Sequence, residues 1–251
     1  MNFTKKVLIF SFLLFLVCGS FLFFSKIVKA EGKNLIFSEE YVFSGNGFHL
    51  DIYEDILVYE GDWNYLNLFN INTKENVETS IKGYRPQIYG DNVAYNGWNE
   101  TTEKTTINLY NIKTKKNIEI DNYYNSDYGS WIYGQYVVWA DESSNNRKVY
   151  LYNINTKEKQ AIHNTTGAHN VRPVVYGDKV VWYDAYTFIY DILDKTITKL
   201  EDGDTHFNNF VSHLEIYDDR VVGDGASNND NDINIFVRDL KNGEEFRITH
   251  N

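Results

Sequence analysis

The sequence predicts an all-β fold of repeated four-stranded sheets, and three observations support this prediction. The chain of 251 residues contains 20 Tyr, 16 Phe and 5 Trp but only two Pro, and aromatic side chains favour the half-buried surfaces of sheets. A tyrosine-centred motif recurs along the chain with a period of about 40 residues. Each copy of the motif continues with short apolar runs and alternating segments separated by polar turns, which is the pattern of consecutive strands.

The repeat can be followed strand by strand from its tyrosine. The equivalent tyrosines are Tyr53, Tyr89, Tyr133, Tyr176 and Tyr217. Each ends a first strand, A, and a turn such as Gly90-Asp91 then leads into an apolar strand B, such as the one starting at Asn92. Glycine supplies the positive φ that a tight hairpin needs. After a polar loop come an alternating strand C, a polar turn such as Asn-Thr-Lys, and a last strand D.

The apolar pattern indicates how these small sheets pack. Strands B and C are apolar on both faces, which predicts sheets stacked between two neighbours. Four short strands per unit at this period are typical of a β-propeller, whose ring closure covers the terminal faces. We count five repeats. A six-bladed ring stays open as an alternative. Residues 33–37 (KNLIF) resemble the D strand that starts at Lys116 and are a candidate to close the last sheet, although the last repeat has its own D strand at Phe246–Thr249.

The motifs IYGD, VVW and YLYNI, followed by a short final strand, resemble the TolB-type, WD40-like β-propeller repeat of bacterial and archaeal cell-surface proteins. The resemblance extends over about residues 47–251. It implies that strand A lines a central channel and that the D–A and B–C loops share one face, the usual binding face of such propellers. It is uninformative about activity, because propellers host many functions.

The first 30 residues differ from the repeats. Lys5 and Lys6 precede an apolar stretch from Val7 to Phe24, and small residues at Val28 and Ala30 complete a signal-peptide pattern. The stretch is also at the lower limit for crossing a bilayer, so an uncleaved anchor through residues 7–24 is the alternative. Both interpretations make residues 1–30 an export segment and place the propeller domain, residues 31–251, outside the cytoplasm, either secreted or tethered to the membrane.

The charge of the exported part narrows the range of partners. The first 30 residues carry four lysines and no acidic residue, so the whole-chain net charge of −11 becomes −15 for residues 31–251. Such a charge argues against nucleic acid as a partner and favours cationic partners. The only cysteine, Cys18, lies in the export segment, so residues 31–251 contain no disulfide.

Candidate binding residues precede and follow the strands at the predicted loop-bearing face. The position four residues before each tyrosine holds His49, Arg85, Gly129, Arg172 and His213. The basic members predict a funnel for an anionic group such as a carboxylate or acidic sugar. Alternatively, the two arginines, each followed by proline, pair with neighbouring sheets. The aromatic residues Trp63, Trp98 and Tyr186 on B–C loops either stack on sugars or peptides or cover sheet edges.

The leading functional prediction is a non-catalytic binding or scaffold module that contacts an envelope protein or a glycan through this face, without a metal or cofactor. The alternative is a glycoside hydrolase or lyase that uses carboxylates near the end of strand B. The residues considered for it are Glu60, Asn96, Asp141, Asp184 and Asp224. The oxygen-rich segment 224–232 is predicted to be a solvated loop rather than a Ca²⁺ site. Trp139 and Trp182, in strand B of consecutive repeats, are predicted to be buried.

Overall fold

The computed structural model describes residues 22–27, 37–43, 48–123, 129–141, 147–165, 171–200, 214–226 and 233–249. Five four-stranded antiparallel sheets form the bulk of these residues, as the five repeats predicted. Each sheet has the strand order A-B-C-D, so sequence neighbours are also neighbours in space. Strands β1 (Leu22–Ile27) and β2 (Phe37–Phe43) pair separately as a two-stranded sheet.

The sheets follow one another along the chain. The first two comprise β3 (Phe48–Tyr53), β4 (Ile56–Glu60), β5 (Tyr65–Asn70) and β6 (Asn76–Lys82), then β7 (Tyr84–Tyr89), β8 (Asn92–Asn99), β9 (Lys104–Asn111) and β10 (Asn117–Tyr123). The third comprises β11 (Ser130–Tyr133), β12 (Tyr136–Asp141), β13 (Lys148–Asn153) and β14 (Glu158–Asn164). The fourth and fifth comprise β15 (Val174–Tyr176), β16 (Lys179–Tyr183), β17 (Thr187–Asp191) and β18 (Thr196–Lys199), then β19 (Leu214–Tyr217), β20 (Arg220–Ala226), β21 (Ile233–Asp239) and β22 (Glu245–Arg247).

The turns have the same backbone geometry in all five sheets. The residue after each repeated tyrosine has a left-handed φ between 51° and 60°; these residues are Glu54, Gly90, Gly134, Gly177 and Asp218. At the C–D turn, an Asn or Asp carbonyl or carboxylate oxygen accepts backbone N–H groups, as Asn70 does from Asn72 and Thr73. This side-chain bond replaces a backbone partner and makes the Asn-x-x-Thr-Lys pattern a strong turn signal.

Successive sheets pack face to face. Leu66 and Leu68 of the first sheet meet Ile88 and Val93 of the second, and clusters of the same kind join the second to the third, the third to the fourth and the fourth to the fifth sheet. Trp139 is wholly buried between the second and third sheets and Trp182 between the third and fourth. The predicted burial of both tryptophans is therefore confirmed.

The repeated tyrosines form a chain of ring contacts at the A–B turn end of the molecule. Tyr53, Tyr89, Tyr133, Tyr176 and Tyr217 stand in this order. Their consecutive ring centroids are 4.7, 4.6, 4.3 and 4.9 Å apart. Because each ring touches the next sheet's ring, the tyrosines link the innermost strands and explain why this residue recurs with the repeat.

The export segment lies mostly outside the described residues, which begin at residue 22. Among the described residues, no helix has the length and apolar character needed to cross a membrane. Residues 33–36 of the D-like segment are also outside, and Phe37 pairs with Ile27 in the two-stranded sheet. The fifth sheet takes all four of its strands from residues 214–247. Export and anchoring therefore remain predictions.

Candidate functional site

Glu60 joins the starts of two innermost strands at the loop-bearing end. Its Oε2 lies 3.0 Å from Nδ1 of His49, at the start of strand A of the first sheet. The same oxygen accepts the backbone N–H of Arg85, at the start of strand A of the second sheet, at 3.4 Å. Glu60 is buried, and a buried carboxylate is stable only when hydrogen-bonded in this way. Glu60 thereby links the imidazole of His49 to the backbone of Arg85.

The backbone explains the position that these residues occupy. His49, Arg85 and Gly129 all have a left-handed φ, of 42°, 53° and 79°, and the ladder register shifts around the first two. Such a bulge re-aims a side chain at the end of a strand. The stem of Arg85 lies over Gly129 of the third sheet, where an added Cβ would come within 3.2 Å of the arginine Cβ.

Arg172, two sheets further on, also reaches toward the next sheet. Its charge lowers the pKa of Glu215, on strand A of the fifth sheet, but burial among protein atoms outweighs this and, with Asp51, raises that pKa to about 7. Glu215 is nevertheless exposed to water. An exposed carboxyl group surrounded by protein on most sides is expected inside a water-filled channel, where desolvation acts without full burial.

Asp51 of the first sheet is the second carboxyl group on an innermost strand whose pKa is raised. It lies two residues before its repeated tyrosine, as Glu215 does. Its two oxygens accept the backbone N–H groups of Ile52, at 2.8 Å, and of Ile88 on the next innermost strand, at 2.7 Å. Burial raises the pKa of Asp51 to about 6, although both hydrogen bonds oppose the shift. Sequence reasoning missed Asp51 and Glu215.

The carboxylates predicted at the end of strand B do not form one ring. Strand C pairs Glu60 with Leu66 and Asp224 with Ile235. In the third sheet the equivalent residue is Ala140, and Asp141 comes one residue later. The fourth sheet has Tyr183 at this place, followed by Asp184. One residue along a strand reverses the face of the sheet, so the predicted alignment of these acids is wrong.

The predicted aromatic residues stand at the loop-bearing end. Trp63 lies in the 3-10 turn Asp62–Asn64 between strands B and C of the first sheet, with a φ of 60°, and is 88% exposed. Trp98 is 56% exposed and belongs to the B–C hairpin of the second sheet, where it is still within the strand and pairs with Thr105. Tyr186 carries the ammonium of Lys199 over its ring, 3.1 Å from the centroid.

Two predicted features fall outside the described residues. His213 is one of them, and the other is most of the oxygen-rich segment, residues 227–232. The part of the chain that the structure describes contains no group of three or more His, Cys, Asp or Glu side chains placed to hold a metal ion. The funnel of His49, Arg85, Arg172 and His213 remains a prediction, and so does the loop.

Comparison with known proteins places this geometry among the propellers. No protein-family model and no curated protein matches the sequence. A putative TolB from Agrobacterium tumefaciens is similar in structure, with a TM-score of 0.61, 10% identity, and coverage of 84% of this chain and 83% of the other. The fold is a TolB-like β-propeller. A TolB structure from Acinetobacter baumannii has a TM-score of 0.53 and 12% identity, over 74% of this chain and 48% of the other.

Enzymes share the same architecture. An oligogalacturonate lyase in complex with manganese has a TM-score of 0.56 and 16% identity, over 83% of this chain and 67% of the lyase. The chain spans about half the length of the Acinetobacter TolB. At these identities the likeness concerns the fold alone, since one fold supports both binding proteins and enzymes.

Proposed function

We propose that the protein is a non-catalytic, extracytoplasmic binding module that contacts an envelope protein or a glycan through the loop-bearing face of its propeller. The observation that supports this most is the exposure of Trp63 and Trp98 on the B–C hairpins of adjacent sheets. Large aromatic side chains are costly to leave in water, and they are enriched where proteins bind partners.

The backbone around Trp63 supports a binding role. Trp63 and Asn64 both have a left-handed φ, of 60° and 61°, a conformation that non-glycine residues adopt at an energetic cost. The turn is held by the backbone bonds from Gly61 to Tyr65 and from Gly83 to Asn64. A strained turn that presents a tryptophan ring to solvent is typical of a recognition loop.

The basic residues at the same end suit an acidic group on the partner. His49 is half exposed and stands with Arg85 at the starts of innermost strands. In a strongly acidic protein these basic residues would give local attraction to a carboxylate or an acidic sugar. If the partner is a glycan, these residues favour an acidic glycan.

The test compares two pairs of exposed aromatic or apolar residues. Full-length protein in mild detergent is presented to acidic and neutral glycans and to solubilised envelope proteins, as wild type and with Trp63→Ser and Trp98→Ser. We expect the double change to weaken binding by about 10-fold or more, because stacking on aromatic rings is lost. The matched control is Val77→Ser with Leu193→Ser, two exposed apolar residues that lie away from the loop-bearing end. Equal binding by wild type and the tryptophan variant would refute the proposal.

A second candidate is a carbohydrate-active enzyme. The specific observation in its favour is the pair of channel carboxyl groups, Asp51 and Glu215, whose raised pKa values are typical of acid–base catalysts. The test is release of unsaturated or reducing products from polygalacturonate and other acidic polysaccharides. Turnover that Glu215→Gln abolishes would support the enzyme, and absence of turnover by the wild type would support the binding module.

A further inference from the structure

Among the described residues, one of the two faces of the fifth sheet is covered by no apolar cluster from another sheet. Ile235 lies opposite Asp224 in that sheet, as Ile107 lies opposite Asn96 in the second. The four residues equivalent to Ile235 are at most 1% exposed, whereas Ile235 is 43% exposed. They are Leu66, Ile107, Val149 and Thr187. No apolar cluster of the described residues joins this face to another sheet.

This surface, here called the open face, is continuous across all four strands. Residues that pair directly, or that are two apart in one strand, share a face. The register therefore places these residues side by side: Glu215, Tyr217, Val222, Ile235, Val237, Phe246 and Ile248. Two charged residues of strand B share the face, Arg220 opposite Tyr217 and Asp224 opposite Ile235. Large apolar or aromatic side chains are exposed to solvent at Tyr217, Ile235, Phe246 and Ile248, and such contiguous patches mark interaction sites.

The other sheets show what such a face accepts. On the first sheet the equivalent face packs on Ile88 and Val93 of the next sheet, whose strands alternate in side-chain direction. Asp51, the equivalent of Glu215, accepts the N–H of Ile88 from the adjacent strand. The repeat itself thus indicates an extended segment whose alternate apolar residues pack on the sheet and whose N–H or ammonium group meets Glu215.

The negative charge near the open face favours a positively charged partner. Glu215 presents its carboxyl group to the water at the inner edge of the open face, close enough to Asp51 for the two to interact. The exported part of the chain carries a net charge of −15. A second copy would bring the same net charge and its own Glu215, so that like charges would oppose pairing, whereas a basic segment is attracted.

We propose that the open face binds an extended, cationic segment of another protein, whose alternate apolar side chains pack on Ile235, Val237 and Phe246 while a lysine or arginine pairs with Glu215. This site is separate from the loop-bearing face, which carries Trp63 and Trp98 on the first two sheets. The protein thus has two binding surfaces, and either can fail experimentally without the other.

The test uses two short fluorescent peptides of equal length, one alternating valine with lysine and one alternating valine with glutamate. Full-length protein in mild detergent is titrated into each, and fluorescence anisotropy reports binding. We expect the lysine peptide to bind at least about 10-fold more tightly than the glutamate peptide, because only the first complements Glu215 and the acidic surface.

Variants of open-face residues test whether the lysine peptide binds at this face. Ile235→Ser with Phe246→Ser is expected to weaken lysine-peptide binding by about 10-fold or more, because apolar contact area is removed. The matched control is Val77→Ser, since Val77 pairs with Leu68 as Phe246 pairs with Val237, and Val77 and Phe246 are 50% and 51% exposed. It should change binding by less than about twofold. Urea unfolding of each variant confirms that it folds.

The charge arm uses Glu215→Gln. We expect it to weaken binding about threefold at pH 8 and not at pH 5.5, where the raised pKa of Glu215 leaves the wild-type carboxyl largely protonated. Asp51 and Arg172 also face this group, so their charges belong to the same titration. Equal weakening at both pH values would contradict the pairing with Glu215.

Three results would overturn the proposal. The first is equal binding of both peptides, or equal binding by the open-face variant and the wild type. The second is a dimer in sedimentation velocity that the open-face variant abolishes, together with no peptide binding, which would assign the face to a second copy. The third is a carbodiimide cross-link from Glu215 to Lys26 or Lys29 of the same chain, which would assign it to the N-terminal segment.

Discussion

The interface between the second and third sheets and the open face of the fifth sheet contain the same residue in two environments. Ile107 lies in the second sheet and Ile235 at the equivalent place in the fifth sheet, three repeats later, yet only Ile107 is wholly buried. Around Ile107 lie Ala94 and Leu109 of its own sheet and Val137 and Trp139 of the next. Ile235 lies beside Val237 on its own sheet, and no apolar cluster of the described residues joins it to another sheet.

The comparison shows that the strand pattern determines which faces are apolar but not which faces are covered. Burial comes from the next sheet in the series, so each sheet depends on its neighbour for most of the hydrophobic stabilisation. The last sheet keeps the apolar pattern, but no apolar cluster of the described residues joins its outer face to another sheet. A stability difference between the two isoleucine sites, and ligand binding at the second, are the expected consequences.

The largest effect is expected from Trp139→Ala, at the covered interface. Its indole is fully buried and its N–H donates to Asp121 of the preceding sheet at 3.1 Å. Removing it leaves a large cavity, and we expect a loss of roughly 3–5 kcal/mol in the free energy of unfolding, measured by urea titration. The control is Trp98→Ala, which should cost less than about 0.5 kcal/mol. A loss below about 1 kcal/mol for Trp139→Ala would contradict the packing described.

The same substitution at the two isoleucines compares the covered interface and the open face most directly. Ile107→Ala should cost about 2–5 kcal/mol, because the cavity lies between two sheets. Ile235→Ala, the same chemical change on the open face, should cost less than about 1 kcal/mol. Both values come from urea unfolding under identical conditions. Equal losses would mean that the two faces are equally covered in solution.

The covered interface also contains side-chain hydrogen bonds to Asp121 that a substitution can remove. Asp121 accepts the indole N–H of Trp139 and the ammonium of Lys159, the latter at 2.7 Å. Asp121→Ala leaves the buried N–H without this acceptor, so we expect a loss of about 1–3 kcal/mol. Asp194→Ala, in an exposed turn, serves as the control for the loss of one negative charge. If both changes cost the same, the link contributes nothing specific.

The smallest effect concerns the pH dependence of stability at the open face. The pKa of Glu215 is raised above its ordinary value of 4.5 to about 7, so the folded protein holds the proton more tightly than the unfolded chain. This stabilisation is present at low pH and is lost as the pH rises through 7. Glu215→Gln should therefore become more stable relative to wild type between pH 5 and pH 8, as measured by the melting temperature.

The control for this titration is Glu78→Gln on the exposed strand β6. It changes the net charge by the same amount at a position away from Glu215. A stability difference that stays constant between pH 5 and pH 8 for both variants would show that Glu215 titrates as an ordinary surface residue.

The sheets and their order could be predicted from the sequence because the turn chemistry recurs. Asn70 and its equivalents accept turn N–H groups, and the residue after each tyrosine adopts a left-handed φ. These local requirements leave visible residue patterns. The burial of Trp139 and Trp182 could be predicted as well, since both occupy apolar strand B.

The alignment of the carboxylates could not be predicted, because a polar residue at a strand end gives no register. Asp141 and Asp184 come one residue later than Glu60 in their repeats, and only the ladder pairing shows this. In a strand such a shift reverses the face. The sequence position of an acid was therefore a poor guide to its direction.

The two carboxyl groups with raised pKa values could not be predicted, because the repeat has no acidic residue in common at their position. Asp51 and Glu215 lie two residues before their tyrosines, but the other three repeats have Gln87, Trp131 and Val174 there. Their interaction depends on the innermost strands of the first and last sheets lying close together in space. The open face could not be predicted either, because Ile235 continues the apolar pattern and gives no indication that no apolar cluster of the described residues covers it.

The central claim, a covered interface and an open face built from one repeat, is tested most directly by thiol accessibility. Cys18 is the only cysteine of the chain, so Cys18→Ser provides a background without thiols, into which Ile107→Cys or Ile235→Cys is introduced. Reaction with a chromogenic disulfide reagent is followed in the folded, full-length protein and again in urea. We predict that the thiol from Ile235→Cys reacts at once in the folded protein and that the thiol from Ile107→Cys reacts only in urea. Protection of both thiols in the folded protein would contradict the account.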